Sequence, residues 1–463
     1  MKISSLLYLL LLLSVLGCVP DNENFPDPEV LPQDQLIAFK FLKIHNPQLE
    51  ADVVAKVAGN VVQVSLPAAT FCDTLIATFE TKSDVKLYIG KREQQSGITA
   101  NAFAGQVSYK VVQAGKTTDR VNVDVVHSFP ELDQRLTMLM QHHKIPGLSI
   151  AITRNEKLVF AKSYGLADQE KKQPVHNGSL FRIASISKPI TAIAILRLVQ
   201  DQKIKLEDRV FGHGSILGGD FGYPPVRSGV GHITVQHLLD HTSGWANEPN
   251  DPMMTNWSLS QKQIIAEAVQ RRPLKFKPGS TYNYSNLGYC ILGRVIEKVS
   301  GRAYEEFVKA EVFAPAGIGG MVIGGSRTAQ RLADEVTYYQ QEWNPYSIDI
   351  RRMDAHGGWL ATASDLMRLM VHIDRNHDQP DLIESGLLNK FYFGSSSWCH
   401  SGSLPGSSAF ITRLNDEYSF VLLANTRRNT DATHFFKEFY YAAKARIEAK
   451  SEWTKADLFY QTM

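Results

Sequence analysis

Apolar and β-branched residues come in short runs from about Gln35 to Val126. The runs Leu36 to Phe41, Val61 to Val64, Thr74 to Phe79, Val85 to Ile89 and Val107 to Val112 are each of strand length, and Val121 to Val125 alternates apolar with polar. Turn-forming residues stand between them, among them Gly59-Asn60, Pro67, Gly90 and Gly115-Lys116. The pattern predicts an all-β segment, and so many short strands in that length point to a β-sandwich. The period changes after His127-Ser128-Phe129-Pro130. Leu132, Leu136, Leu139 and Met140 follow helical spacing, and Pro146-Gly147 ends that helix. Leu148 to Thr153 and Lys157 to Ser163 read as a hairpin around Arg154-Asn155-Glu156. Thr191 to Leu198 is apolar all round, as a buried helix is. His232 to Gly244 starts as a helix and stops at its glycine. Leu287, Ile291, Val295 and Val299 make one helical face, ended by Ser300-Gly301. Further on, Ser364-Asp365 enters a helix, Phe420 to Asn425 reads as a strand, and Thr433 to Ala449 reads as a closing helix.

The extreme N-terminus has a different pattern. Lys2 precedes an apolar run, Leu6 to Leu16, that is short for a membrane span, and the run ends Gly17-Cys18. This resembles the lipobox of bacterial lipoproteins, which implies lipidation of Cys18 and an exported, membrane-anchored protein. The stretch after Cys18 is polar, acidic and proline-rich, as a tether is. The expected organisation is a signal and lipidation site over 1–18, a tether over 19–34, a β-sandwich over 35–127, a second domain over 130–447 and a tail over 448–463.

Composition narrows the chemistry. A net charge of +2 over 463 residues leaves no electrostatic footprint for nucleic acid. Cys72, Cys290 and Cys399 remain once Cys18 is set aside. Their number is odd and no two are close in sequence, so neither a disulfide framework nor a zinc ribbon is expected. His237 and His241 are four apart, but Leu238 stands where a zinc hydrolase would carry its glutamate. Packing or capping is therefore the expected role of the two imidazoles.

The candidate chemistry centres on Ser185-Ile186-Ser187-Lys188-Pro189. Residues three apart share a helix face, so the Lys188 ammonium can reach the Ser185 hydroxyl. A base within reach turns a poor nucleophile into a useful one. Pro189 is tolerated only in a first turn, which predicts a helix starting near Ser185. Alone, S-x-x-K is a weak motif. Downstream, Tyr284-Ser285-Asn286 precedes a helix, Gly357-Gly358-Trp359 precedes another, and His400-Ser401-Gly402-Ser403 leads into the turn Pro405-Gly406.

In this order, and with Leu238-Leu239-Asp240-His241-Thr242-Ser243-Gly244 between them, these motifs make the region from about Leu132 to Lys444 resemble the serine β-lactamase and penicillin-binding-protein superfamily. The branch that holds class C β-lactamases, D-alanyl-D-alanine peptidases and related esterases is the most similar. The resemblance implies an α/β domain, an antiparallel sheet flanked by helices plus a helical lobe, behind an immunoglobulin-like sandwich. It implies an acyl-enzyme on Ser185, with Lys188 and Tyr284 handling protons; which of the two is the base stays open. Asn286 would serve Lys188 or a substrate amide, and the backbone N–H groups of Ser185 and Ser403 would form the oxyanion hole beside Gly402. His400 stands where β-lactamases usually carry lysine. An imidazole of ordinary pKa is mostly neutral at pH 7, which suits a peptidase or esterase better than a β-lactamase. The expected reaction is acyl transfer to water from a small peptide, ester or β-lactam, with neither metal nor organic cofactor. A true β-lactamase is one rival reading. A penicillin-acylated sensor or scaffold with poor turnover is another.

Overall fold

A computed structural model of the chain describes residues 35–66, 74–103, 106–127, 129–376, 378–428, 435–449, 453 and 457–459. The expected signal, Cys18, the tether and Cys72 lie outside them, as does most of the expected tail. All described residues belong to one compact unit, 32–463. Among them, no helix is long and apolar enough to cross a membrane.

The β-rich pattern of the N-terminal segment is realised as strands. Leu36–Phe41 lies between Val53–Val54 and Thr78–Thr81 in a three-stranded sheet. A six-stranded sheet has the order Lys56–Ala58, Val61–Leu66, Lys116–His127, Gln106–Gln113, Val85–Ile89, Arg92–Glu93. Its Val61–Leu66 and Lys116–His127 pair in parallel. Phe39 of the first sheet meets Tyr109 of the second edge to face, 6.1 Å between ring centroids, so the alternate residues of both build one core. The smallest strands escape sequence reading because two or three residues carry no period.

The second part is built on a six-stranded antiparallel sheet in the order Gln173–Pro174, Lys157–Asp168, Gly147–Arg154, Tyr418–Ala424, Ser407–Arg413, Trp398–Leu404. Alternation sends Ile150, Ile152, Phe420 and Leu422 to one face. There the helices Pro130–His143 and Lys437–Glu448 cover them with Leu132, Leu136, Phe439 and Ala443. Ala151, Val421 and Leu423 point to the other face, into the core that also holds Leu366 and Met370 of the helix Ala363–Val371. Beyond lies the helix Ser187–Gln200, buried nearly all round, packed on Asn286–Ser300 and Ile350–Gly357. A small sheet of Phe181–Arg182, Trp359–Ala361 and Val322–Ile323 ties the entry of that buried helix to the rest. Both parts also meet directly: the Asn177 N–H donates to the buried carboxylate of Asp124 at 2.8 Å.

Candidate active site

The Ile183 N–H donates to the Trp359 carbonyl at 3.1 Å, which pins the chain as it leaves the small sheet. Ala184 then takes a left-handed conformation, φ +50°. Such a backbone costs an L-residue about 1 kcal/mol or more. Ala184–Ile186 makes a single 3-10 turn, and the α-helix begins at Ser187 rather than at Ser185. The early start expected from Pro189 is thus displaced by two residues, because the pinned Ile183 carbonyl accepts the Ile186 N–H at 3.2 Å and tightens the turn. Pro189 still falls in the first helical turn, and Ser185 still lies one turn from Lys188.

Lys188 is almost completely buried. Its Nζ lies 3.2 Å from Ser185 Oγ, 2.7 Å from Asn286 Oδ1 and 2.8 Å from the His356 carbonyl oxygen. An ammonium has three protons for these three acceptors, and a neutral amine has two plus a lone pair. Burial pushes the Lys188 pKa down to about 7, and the carboxylate of Asp251 opposes that fall. Near neutrality, then, a substantial fraction of Lys188 can accept a proton from Ser185.

Tyr284 closes the other side. Its ring centroid is 4.7 Å from Lys188 Nζ, and its phenol interacts with the Ser185 side chain. Burial raises its pKa well above the ordinary phenol value. The ring packs at 4.6 Å on His241, whose Nδ1 accepts the Ser285 N–H at 3.0 Å. The Ser285 hydroxyl caps the helix Asn286–Ser300, accepting from the Gly288 N–H at 3.0 Å, and so places Asn286 at the helix entrance. His241 therefore packs as the sequence predicts. His237 caps its own short helix, Nδ1 accepting the Thr234 N–H at 3.2 Å.

The third motif lies on the edge strand Trp398–Leu404, against the Ser185 turn. A Cβ on Gly402 would overlap the Ile183 carbonyl oxygen, so only glycine lets strand and turn approach this closely. Ser403 follows on the same edge strand, in register with Ser408. His400 is half-buried, and its Nδ1 is 2.9 Å from the Ser401 carbonyl. A carbonyl only accepts, so Nδ1 carries the proton. Burial, then the positive Lys188, push the His400 pKa down to about 4. An imidazole of ordinary pKa would charge at mildly acid pH; in the folded protein His400 stays neutral there too. A cavity of about 360 Å³ opens beside the motifs, lined by His241, Tyr282, Tyr284, Phe391, Cys399 and His400 among others.

The fold thus brings Ser185, Lys188 and Asn286 into one hydrogen-bonded group with the Tyr284 ring against it, and His400, Gly402 and Ser403 on the adjoining strand. Sequence reading misses Asp251, which accepts from Asn286 Nδ2 at 2.7 Å, and the His356 carbonyl. Neither belongs to a spaced motif. Asp251 sits in an irregular loop between Pro249 and Pro252, where an acidic residue is unremarked.

The family model described as Beta-lactamase matches residues 132–438. The chain belongs to the β-lactamase family. Penicillin-binding protein 4* of Bacillus subtilis is 32% identical over 335 residues, which is 63% of this chain and 71% of that protein. Among solved structures, a penicillin-binding protein from Bacillus halodurans is similar at 25% identity and a TM-score of 0.53, covering 68% of this chain and 99% of that one. A D-amino acid amidase from Ochrobactrum anthropi SV3 shares the fold at 20% identity and a TM-score of 0.57, covering 69% of this chain and all of its own. In each case the shared part is smaller than the whole chain, and the family match begins beyond the N-terminal strands.

Proposed function

We propose that this β-lactamase-family protein is a serine hydrolase that works through an acyl-enzyme on Ser185, with an amide or ester as substrate. The convergence of Lys188, buried and poised near neutrality, with the Tyr284 phenol on the one hydroxyl of Ser185 carries the reading. In this mechanism neutral Lys188 takes the Ser185 proton as Oγ attacks the carbonyl carbon. The oxyanion forms against the N–H groups of Ser185 and Ser403. Tyr284, protonated because its phenol is buried, gives its proton to the leaving group and is reprotonated from Lys188. Water then attacks the ester carbonyl in the reverse sense. This assigns the base to Lys188: a Tyr284 phenolate would have to form against the burial that raises its pKa.

A neutral His400 offers a hydrogen bond rather than a positive charge. D-amino-acid peptides or amides and carboxylic esters therefore suit the site better than substrates held by a carboxylate. The kinship with penicillin-binding proteins and the fold shared with a D-amino acid amidase support the same classes. We extend the reading to the rest of the chain: the N-terminal strands form an immunoglobulin-like module that acts as a spacer, and Cys18 carries lipid that anchors the protein to a membrane.

The direct test is a fluorophosphonate probe followed by peptide mass mapping, run beside a panel of esters, D-amino-acid peptides and β-lactams. The adduct is expected on Ser185. Labelling that survives Ser185→Ala would overturn the assignment. For the anchor, wild type expressed in a bacterial host should partition into detergent and Cys18→Ala into the aqueous phase; aqueous partitioning of both would remove the lipid.

A further inference from the structure

Asp251 lies 35 residues before Asn286 and touches none of the reacting atoms, yet its surroundings hold it with care. Its Oδ2 accepts from Asn286 Nδ2 at 2.7 Å, and its Oδ1 accepts the Met253 N–H at 2.9 Å. The loop around it is clamped on both sides. Arg272 Nη2 donates to the carbonyls of Ala246, Glu248 and Asn250 at 2.6, 3.1 and 3.0 Å. Arg352 Nη2 donates to the Met253 carbonyl at 3.0 Å, and its Nη1 to those of Asn256 and Leu259 at 2.8 and 2.9 Å. Two arginines thus spend their donors on holding irregular backbone, with the carboxylate between them.

An asparagine amide has a donor end and an acceptor end of nearly equal shape. Flipped, Asn286 would aim N–H groups at the Lys188 ammonium. An ionised carboxylate only accepts, so Asp251 selects the NH₂ end and leaves Oδ1 for Lys188, 2.7 Å away. The two hydrogen bonds reinforce each other through the amide, because each polarises it in the sense that strengthens the other.

We propose that Asp251 is a positioning residue for acylation, fixing the Asn286 amide and holding positive charge on Lys188 through it. This rests on the hydrolase reading above. Its consequence is a compromise: burial drives Lys188 toward the neutral base, and Asp251 holds it back, so the two together set the pH at which Ser185 becomes reactive. The other titratable groups that face Lys188 are Tyr284 and Tyr289, whose rings are 4.7 and 5.8 Å from Nζ, and His241, His356 and His400. Burial keeps both phenols protonated and all three imidazoles neutral near pH 7. The charge at this centre that a single substitution can remove is therefore that of Asp251.

The experiment is the second-order rate of fluorophosphonate labelling of Ser185 against pH, for wild type and three variants of the full chain. Asp251→Asn can still accept from Asn286 through its own Oδ1 but has no charge. Its acidic limb should move to lower pH by at least about half a unit, since loss of a nearby opposite charge disfavours the ammonium. Asp251→Ala should show the same shift and, with the amide free to flip, a plateau at least about tenfold lower. Asp251→Glu keeps the charge and should leave the limb near its wild-type position. A merely structural role would lower the plateau of all three without moving any limb. An unmoved limb in Asp251→Asn, or in Asp251→Ala should the former not fold, overturns this proposal alone. Failure of the wild type to label overturns the hydrolase reading and this proposal with it.

Discussion

A methyl group at Gly402 would test the contact on which the site depends. Its Cβ would overlap the Ile183 carbonyl oxygen and stand 3.0 Å from the Ile183 carbonyl carbon and 3.2 Å from Ala184 Cβ. Comfortable carbon–carbon contacts lie at about 3.5–4.0 Å, so strand and turn must part by on the order of 1 Å. Neither side can yield by rotating a side chain. The Ile183 carbonyl is backbone, fixed by the Ile186 N–H, and Gly402 is held in the ladder opposite Ala409. Overpacking of this kind costs about 1–3 kcal/mol, a few degrees in Tm. The kinetic loss should be larger. In the proposed mechanism the oxyanion forms against the N–H groups of Ser185 and Ser403, on the turn and the strand that would be parted, and an oxyanion donor is worth about 10²–10³ in rate. Gly402→Ala should therefore label with fluorophosphonate at least about 100-fold more slowly while remaining folded by circular dichroism. Gly386→Ala, whose new methyl meets nothing within 4 Å, is the control and should match wild type. A Gly402→Ala protein that labels within about threefold of wild type would show that the close approach of this strand to the Ser185 turn does not matter for acylation.

Three further outcomes are expected. The kcat/KM for an uncharged ester should fall about tenfold per unit as pH drops below about 7, because protonated Lys188 cannot accept the Ser185 proton, and Lys188→Met should abolish turnover; a flat profile from pH 5 to 8 would contradict this. Because His400 stays neutral down to about pH 4, the ratio of penicillin to ester acylation in wild type should not change between pH 7 and 5.5, whereas His400→Lys should raise that ratio at both; a wild-type ratio that climbs toward pH 5.5 would mean the imidazole charges after all. Asp124→Ala leaves the Asn177 N–H without its acceptor and should lower stability by about 1–3 kcal/mol in denaturant melts, with little effect on labelling rate at 25 °C; an unchanged midpoint would show that the N-terminal strands and the hydrolase segment are energetically separate.

What could be read in the sequence was whatever repeats locally. The i, i+3 spacing of Ser185 and Lys188 survives translation into space because a turn of 3-10 or α-helix brings both onto one side. The alternation in Val121 to Val125 and the apolar face of Leu287 to Val299 likewise follow from backbone period alone. Tyr284 and Asn286 were legible as the Y-x-N motif, through the resemblance to the superfamily rather than through any backbone period. The hidden parts arise from close approach between distant segments. The left-handed Ala184 comes from the bond of Ile183 to Trp359. The lowered pKa of His400 comes from burial beside a lysine on another element. Asp251 acquires meaning only once Asn286 is folded against it.

The order of strands in the six-stranded antiparallel sheet has a consequence for how the protein comes into being. Gly147–Arg154 is flanked on one side by its hairpin partner and on the other by Tyr418–Ala424, more than 250 residues later in the chain. Such a pairing closes a long loop and cannot be made until Tyr418–Ala424 has been synthesised. A chain that stops before Trp398 holds Ser185 and Lys188 yet lacks the strand that carries Gly402 and Ser403. Reactivity toward a fluorophosphonate would then report a chain synthesised past Tyr418–Ala424, and a fragment ending before Trp398 would be inert without any need for an inhibitory propeptide.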